Sequence, residues 1–418
     1  MPTTLSPEQV AAALALRDLS DPAQGPHAVG LVLDAVVDAL AARWGCTVRV
    51  LRSSPLVAVE DNYDRLGYPT SAITRDSRYS RYLGDTVMLR SHTSAGVPPA
   101  LRALAAEPDP PDDVLLVLPG LVYRRDVIDR THVGEPHQVD LWRITRGVVD
   151  LDEMVGTVGE AVLPGAGLRT VPARHPYTEQ GRQVDVRIDD EWVELAECGL
   201  AAPHVLAGAG LDPDRRRGLA LGMGLDRAVM LRKGLPDIRL LRATDPRIAE
   251  QMLDLSPWRQ VSMLPPVRRD LSVVTAAGTD DEVLGDRVRS ALGADADLLE
   301  SLTVLARTPH ERLPAPARDR LGTVPGQDNV LLRMVLRPLD RTLTDARANA
   351  VRDRVYAALH EGPYQEWSWL PERQQRSTGS TAGGHGAGMD DKDVFSAASE
   401  AEVCERVLGD ARHGLTPE

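Results

Sequence analysis

Residues 119–140 hold the densest set of chemically active side chains in this chain. Arginines, histidines, a glutamine and aspartates follow an apolar run at 114–118, and this pattern predicts a strand, a charged loop and a returning strand. Guanidinium groups are permanently charged and offer a planar fork of donors, which suits phosphate oxygens. Strand ends that direct arginines toward one point therefore predict a polyanion site, and a nucleotide is the first hypothesis.

The cationic side chains exclude one kind of phosphate site. The net charge is −13, and the only lysines are Lys233 and Lys392. A P-loop needs a lysine on the phosphates within the pattern GxxxxGK[ST], and neither lysine lies in such a loop. The acidic balance argues against indiscriminate nucleic-acid binding and leaves specific RNA contact open. Phosphate binding must therefore rely on arginine.

Length and composition predict a protein of two domains with a tail, because 418 residues exceed what one core usually holds. No apolar run approaches the roughly 20 residues that cross a bilayer, and the acidic N-terminus resembles neither a signal peptide nor a transit peptide. Three widely spaced cysteines suit a reducing compartment. We expect a cytoplasmic protein with no membrane contact.

The first half of the chain has the pattern of an α+β domain on an antiparallel sheet. Its predicted elements are a helix over 26–45, a strand at 47–51, strands and loops through 84–145, a hairpin of 184–188 and 191–196 that turns at Asp189 and Asp190, and a glycine-spaced strand at 218–224 that leads into a helix at 225–233.

The second half follows the split βαβ plan of a ferredoxin-like module. Its predicted elements are a strand at 270–274, a helix at 281–292, strands at 299–306 and 330–336, and a helix at 344–360. We therefore divide the chain into an N-terminal extension (1–25), a catalytic domain (26–256), a ferredoxin-like domain (257–369) and a flexible tail with a short terminal helix (370–418).

Several motifs in order resemble one family. The segments are 88–95 (MLRSHTSA), 119–140, 175–179 (HPYTE), 192–199 (WVELAECG) and 218–227 (GLALGMGLDR). They resemble the catalytic core of phenylalanyl-tRNA synthetases, which are class II enzymes. Segments 264–272 and 340–345 resemble the ferredoxin-fold anticodon-binding domain. Both parts in one chain resemble the single-chain, organelle-type enzyme, in a divergent form.

The resemblance implies that the protein uses ATP and Mg²⁺ to form an aminoacyl adenylate and transfers the aminoacyl group to tRNA, with tRNA for phenylalanine as the expected acceptor. Carboxylate attack on the α-phosphorus brings anions together, so it needs neutralising charge. By resemblance Arg124 holds the α-phosphate, Arg227 holds the γ-phosphate and His132 lies beside the phosphates. The same ATP site includes Pro136, Glu194 and Gly224, and the metal candidates are Glu179 and Glu194.

The amino-acid pocket departs from the family pattern. By resemblance His92, Ser94, Gln138 and Asp140 surround the substrate's amino and carboxylate groups, and Ala220 ends the side-chain pocket. The departures are Asp140 in place of Glu, Val97 in place of Gln, His175 and Tyr177 in place of two Phe, Pro136 in place of the Phe that stacks on adenine, and Glu197 in place of Gly.

Two accounts of these departures stay open. The chain has a single Phe, so its aromatic lining has either drifted to other residues while phenylalanine remains the substrate, or the substrate has changed. A plain phenyl ring would leave polar groups in a buried pocket unpaired, at about 1 to 3 kcal/mol each. His175, Tyr177 and Glu197 would fit a hydroxylated, amino-substituted or heteroaromatic amino acid.

Three function classes follow from these motifs. The first is a phenylalanine-tRNA ligase or a paralogue, acting as a monomer or homodimer, in which Arg268, Arg269 and Arg341 either contact tRNA or form a solvated face. The second is a ligase of specialised metabolism that passes an activated, ring-substituted aromatic amino acid to a small molecule, a peptide or a carrier. The third is a silent RNA-binding paralogue, and the retained motif arginines argue against it.

Overall fold

The structure is a computed structural model that describes residues 4–261, 265–339 and 341–363. The chain forms two compact units, which do not follow a single cut along the sequence. The first unit contains Met1–Val267, Thr279–Leu302 and Val335–Ala348, and the second contains Arg268–Gly278, Thr303–Met334 and the residues from Asn349 onward. The predicted tail at 370–418, with its terminal helix, lies outside the described residues.

The described residues form α-helices and β-strands along most of the chain. The helices are α1 (Pro7–Leu14), α2 (Ala28–Trp44), α3 (Val59–Asn62), α4 (Val97–Ala105), α5 (Leu151–Val162), α6 (Pro203–Gly208), α7 (Leu225–Lys233), α8 (Pro246–Ala249), α9 (Asp281–Leu292), α10 (Ala315–Leu321) and α11 (Asp345–Leu359). The strands are β1 (Thr47–Val50), β2 (Leu56–Ala58), β3 (Arg81–Tyr82), β4 (Val87–Leu89), β5 (Asp113–Leu121), β6 (His137–Thr145), β7 (Leu168–Pro172), β8 (Thr178–Ile188), β9 (Glu191–Ala201), β10 (Arg217–Gly224), β11 (Val267–Ala276), β12 (Leu299–Pro309) and β13 (Gln327–Leu336).

A seven-stranded sheet forms the centre of the first unit, in the order β1-β5-β6-β10-β9-β8-β7. Only β1 pairs in parallel, with β5, and the other pairs are antiparallel. The hairpin expected around 119–140 is β5 and β6, which pair from Asp113 opposite Thr145 to Leu121 opposite His137. The expected antiparallel sheet is thus confirmed.

The alternation of side chains along β6 and β10 gives this sheet two different faces. On one face Val139, Leu141, Leu219, Leu221 and Met223 join a buried core with residues of α2, α5 and α7. On the other face Trp142, Ile144 and Ala220 pack with residues of α4 and α6. Asp140 shares this second face, because it lies two residues from Trp142.

A bulge in β9 changes the alternation near the end of the β8–β9 hairpin. The hairpin is longer than predicted and turns at Asp189, whose φ of 51° suits a two-residue turn. In the register Val184 pairs with Ala196, but the next residue, Asp185, pairs with Glu194. Leu195 is therefore the extra residue, and Glu194 is shifted to the face that Glu197 occupies.

The second sheet has the strand order β11-β13-β12, with α9 after its first strand and α11 after its third. This order places the third strand between the first two, as the split βαβ plan requires. The predicted elements of the ferredoxin-like module are therefore all present.

One expectation for the first unit was wrong. Residues 97–105 form the helix α4 and not a strand or loop. The prolines of α4 lie in its first turn, where proline is tolerated.

A buried lysine fixes the chain that follows α7. The Lys233 ammonium donates to the Asp254 carbonyl at 2.9 Å, to Asp254 Oδ1 at 3.2 Å and to the Ser256 carbonyl at 2.7 Å. Its side chain is 1% exposed. The Lys233 carbonyl in turn accepts from the Trp258 amide.

Across the described ranges, no helix has both the length and the apolar character needed to span a membrane.

Candidate active site

A cavity of about 710 Å³ lies in the first unit, lined by the start of β6, the end of β10 and residues 194–197 of β9. Most of the predicted site residues line it, although the sequence spreads them over more than 130 positions. Those that line the cavity are His92, Ser94, Arg124, His132, Pro136, Gln138, Asp140, Tyr177, Glu194, Glu197, Gly224 and Arg227. The fold therefore brings the two halves of the predicted site to one place.

The arginine end of the cavity begins at the loop between β5 and β6. Arg124 is held by a hydrogen bond from its amide to the Gly134 carbonyl, and its Nε lies 3.4 Å from Asp126 Oδ2. Arg227 lies in the first turn of α7, and its Nη1 is 3.7 Å from Glu194 Oε2. Both side chains are partly exposed, and both ion pairs are longer than a normal hydrogen bond. Each guanidinium group can therefore still bind an anion in the cavity.

His132 is a third basic side chain at this end. Its Nδ1 lies 2.8 Å from Asp129 Oδ2. This hydrogen bond raises the pKa of His132, while partial burial and the nearby Arg227 oppose the rise. Burial works against the charge of Asp129, but hydrogen bonds from His132 and Thr131 together lower its pKa. The pair therefore favours a protonated imidazole beside the two arginines.

A buried pair ties the start of β6 to the start of α7. His137 donates to Asp226 through both its backbone amide and Nδ1, each at 2.8 Å. Its Nε2 lies 2.9 Å from the amide nitrogen of Leu19. Burial alone would raise the pKa of Asp226, but His137 lowers it below the usual value. Gln138 and Arg227, the neighbours of this pair, are thereby held at fixed positions.

The opposite end of the cavity is acidic. Asp140 is fully buried and accepts from Thr93 Oγ1 at 2.7 Å, Ser94 Oγ at 3.1 Å and Trp142 Nε1 at 3.3 Å. Burial raises its pKa in spite of these donors. Asp140 pairs across the sheet with Gly222, which pairs in turn with Glu197. Two carboxylates therefore flank a glycine on one face of the sheet.

Aromatic rings cover this acidic end. Tyr68 stacks on His92 at a centroid distance of 5.7 Å and lies 6.2 Å from the Tyr177 ring. Burial lowers the pKa of His92 to about 4, with a contribution from the charge of Arg124, so this imidazole is neutral near neutral pH. Burial, followed by the charges of Asp140 and Glu197, raises the pKa of Tyr68. Both side chains therefore act as neutral polar groups.

Three residues predicted for the amino-acid pocket do not line the cavity. Val97 is fully buried in the cluster formed with α4, and Ala220 is 2% exposed in the same cluster. Trp142, the register partner of Ala220 on β6, is also buried there. His175 contacts two residues that do line the cavity: its Nε2 is 3.2 Å from Glu197 Oε2, and its ring stacks on Tyr177 at a centroid distance of 5.8 Å.

The two metal candidates are far apart. Glu179 pairs with Leu200 on β9, six residues along that strand from Glu194, or about 20 Å at the usual rise per residue. Glu179 is exposed and does not line the cavity, whereas Glu194 does. Among the described residues no group of three or more His, Cys, Asp or Glu side chains could hold a metal ion.

Sequence reasoning missed several residues of this site. Tyr68, Thr93 and Trp142 contact predicted residues, and none of them was singled out from the sequence. Trp142 could have been found from the sequence, because it lies two residues from Asp140 in a predicted strand and therefore shares the face of Asp140. Tyr68 left none, since it lies in an irregular segment outside every recognised motif.

The predicted tRNA contacts are Arg268, Arg269 and Arg341. Arg269 donates from Nε to Asn349 Oδ1 at 2.9 Å and from Nη1 to the Arg268 carbonyl at 2.9 Å, within the second unit. Arg268 is exposed, and so is Arg341. None of the three lines the cavity.

An antiparallel sheet with an arginine-bearing hairpin loop and a glycine-rich strand leading into an arginine-bearing helix defines a class II synthetase catalytic domain. Residues 25–252 match the family described as tRNA synthetases class II core domain (F). The chain belongs to this family, and within it the chain is a phenylalanyl-tRNA synthetase-like protein.

The relatives carry one shared name, phenylalanine-tRNA ligase alpha subunit. The protein of Prochlorococcus marinus strain MIT 9313 is 36% identical over 242 residues, which cover 56% of this chain and 69% of the relative. That of strain NATL2A is 37% identical over 193 residues, covering 46% and 56%. That of Gemmatimonas aurantiaca is 34% identical over 236 residues, covering 54% and 67%. This chain thus spans between about half and about two thirds of the relatives' length.

A solved structure gives a weaker likeness. The pyrrolysyl tRNA synthetase PylSc of Desulfitobacterium hafniense superposes with a TM-score of 0.39 at 20% identity, over 52% of this chain and 73% of that chain. The assignment to the family rests on the sequence matches.

Proposed function

We propose that this chain activates phenylalanine or a related aromatic amino acid with ATP and transfers the resulting aminoacyl group to tRNA. The observation that carries this proposal is the cavity itself, which joins a cationic end at Arg124, His132 and Arg227 to an acidic end at Asp140. A triphosphate fits the first end and an α-amino group fits the second. The family supports the same reaction.

In the proposed reaction an oxygen of the amino-acid carboxylate attacks the α-phosphorus of ATP. The bond from this phosphorus to the oxygen bridging the α- and β-phosphates breaks, and pyrophosphate leaves. Arg124, His132 and Arg227 act by neutralising the phosphates and by aligning the reacting atoms, so no protein nucleophile is needed. Ser94, Gln138 and Asp140 hold the amino acid at the other end. Pro136 and Gly224 contribute to the adenosine side of the cavity.

The donor set suits a Mg²⁺ ion that arrives with the nucleotide. Mg²⁺ usually binds through one or two carboxylates and the substrate phosphates, and it keeps several waters. Glu194 is a cavity carboxylate beside Arg227, and it would be the protein ligand. The ion would add positive charge to the phosphate oxygens.

Transfer to tRNA is the second step of the proposal, and we propose that tRNA for phenylalanine is the acceptor. The three-stranded sheet β11-β13-β12 supports it, because its strand order matches the ferredoxin-fold plan of the anticodon-binding domain that the sequence resembles. Arg268, Arg269 and Arg341 are the proposed phosphate contacts. The relatives are named alpha subunits, so light scattering should distinguish the proposed monomer or homodimer from a chain that needs a different partner.

ATP–pyrophosphate exchange tests the first step, and charging of total tRNA tests the second. We expect exchange that depends on an aromatic amino acid, followed by a charged tRNA that survives phenol extraction. Exchange without any charged tRNA would favour the ligase of specialised metabolism, which passes its product to another acceptor. Absence of exchange with every amino acid would overturn the proposal.

A further inference from the structure

The acidic end of the cavity has more acceptor capacity than an α-amino group uses. Asp140 and Glu197 lie on one face of the sheet with Gly222 between them, so their Cα atoms are two strand spacings or about 10 Å apart. A Cβ at position 222 would meet Asp140 Oδ2 at 4.0 Å, and the absence of a side chain leaves the floor between the carboxylates open. One substrate molecule can therefore contact both.

Asp140 is already well supplied with donors, whereas Glu197 is not. Thr93, Ser94 and Trp142 all donate to Asp140. Glu197 has a single neighbour of this kind, His175, whose Nε2 lies 3.2 Å from Oε2. Within the described part of the chain Oε1 of Glu197 has no hydrogen-bond partner, and the side chain is 45% exposed on the cavity wall. Glu197 thus presents a free acceptor to a ligand.

The aromatic rings around Glu197 favour a substrate whose side chain is flat and carries a hydrogen-bond donor. Tyr68, Tyr177 and His92 form a layer of rings above the floor, with centroid distances of 5.7 and 6.2 Å between neighbours. Rings of this kind stack on an aromatic substrate and attract positive charge through their faces. Asp140 is the second carboxylate at this end of the cavity. Arg124 forms its ion pair with Asp126 and Arg227 forms its ion pair with Glu194, so neither arginine neutralises Glu197.

We propose that Glu197 binds an amino group on the substrate's aromatic ring, so that the enzyme activates an amino-substituted aromatic amino acid in preference to phenylalanine. The inference rests on the proposed function, since it concerns the substrate of that same site. The substrate's α-amino group lies at Asp140 and its ring lies against Tyr68 and Tyr177. A plain phenyl ring would leave the Glu197 carboxylate desolvated without a donor, which disfavours it.

The test compares substrates that differ in the group on the aromatic ring, in ATP–pyrophosphate exchange. The panel is phenylalanine, tyrosine, 3- and 4-aminophenylalanine, and 4-methylphenylalanine, whose methyl group matches an amino group in size but cannot donate. We expect kcat/KM for one aminophenylalanine to exceed that for 4-methylphenylalanine and phenylalanine by about 10- to 100-fold, as for a hydrogen bond to a charged group. Equal or better activation of phenylalanine would overturn the inference while leaving the proposed function standing.

Variants show whether Glu197 is the residue responsible. In Glu197→Gln we expect the preference for the amino group over the methyl group to fall at least tenfold. Glu191→Gln is the matched control, because Glu191 is an exposed residue of the same strand away from the cavity. An unchanged preference in Glu197→Gln would overturn the assignment. Failure of the wild-type protein to activate any member of the panel, or any other amino acid, would overturn the proposed function as well.

Discussion

At the scale of single residues, Arg227 is the sharpest test of the phosphate end of the cavity. Arg227→Ala removes a cation that the proposed transition state needs, and loss of one such electrostatic contact costs about 10²- to 10³-fold in rate. Arg227→Lys keeps the charge without the fork of donors and should recover part of the rate. ATP–pyrophosphate exchange measures both.

Arg217→Ala is the control for this prediction, since Arg217 is an exposed residue at the other end of the strand that precedes α7. It should exchange as the wild-type protein does. Full exchange activity in Arg227→Ala would contradict the placement of the γ-phosphate.

His132 should give the reaction a pH dependence. Because Asp129 raises the pKa of His132, the imidazolium persists to higher pH than that of an ordinary histidine, and it is lost as pH rises through the raised value. We expect kcat/KM for ATP to fall on that alkaline limb. In Asp129→Asn the hydrogen bond that raises the pKa is weakened, so the limb should move to lower pH. A profile that does not move would show that the charge of His132 is irrelevant.

The sequence could predict that Arg124, His132 and Arg227 lie at one end of a cavity, because they lie in motifs whose spacing matches the family pattern. The specificity end could not be predicted as well. Glu194 and Glu197 are three apart, so strict alternation places them on opposite faces of a strand. The extra residue Leu195 brings both to the cavity, and a bulge of this kind leaves no mark in the local sequence.

At the scale of elements, the His137–Asp226 pair should stabilise the junction of β6 and α7. Asp226→Asn removes the charge from an acceptor of two buried hydrogen bonds, and we expect a loss of about 1.5 to 3 kcal/mol in the free energy of unfolding. Urea unfolding measures this loss. The exposed turn substitution Asp190→Asn is the control and should have little effect.

The same pair predicts how that loss varies with pH. The pKa of Asp226 is lowered in the folded state, so its contribution is present above the unfolded pKa and disappears as pH falls through the folded one. The difference between wild type and Asp226→Asn should therefore shrink on acidification. A difference that is constant with pH would mean that the carboxylate charge does not act.

Elements were predicted well where one pattern dominates. The helix at 26–45, the hairpin strands and the glycine-spaced strand before α7 are all present, because apolar periodicity and turn residues point to the same structure in each. Helix α4 was missed because Val97-Pro98-Pro99 interrupts the helical pattern at its start. In the structure those prolines occupy the first turn, where their missing amides are not needed.

At the scale of the whole molecule, the −13 charge means that the proposed binding of tRNA needs a local group of arginines. The double variant Arg268→Ala with Arg269→Ala should raise KM for tRNA and make charging less sensitive to salt. Exchange without tRNA should be unaffected, since neither residue lines the cavity. Arg318→Ala with Arg320→Ala, on α10, offers a comparison of equal charge. An equal loss of charging in both double variants would argue for general attraction rather than for a defined contact.

From the sequence, the domain organisation could be predicted only as a first and a second half of the chain. The split βαβ order of β11, β13 and β12 follows from the alternation of strand and helix patterns. The division into compact units was not visible, because residues such as 279–302 are grouped with the first unit through contacts that no local pattern records.

The scarcity of lysine has a practical consequence. Lys233 is the one lysine in the described part of the chain, and its amine is buried with three oxygen acceptors. Amine-directed reagents should therefore leave the folded described region unmodified, including the arginine-lined cavity. When the segment at 254–258 detaches from the end of α7, this amine becomes reactive. Its acylation rate, followed by mass spectrometry, would report the opening of that segment without any engineered label.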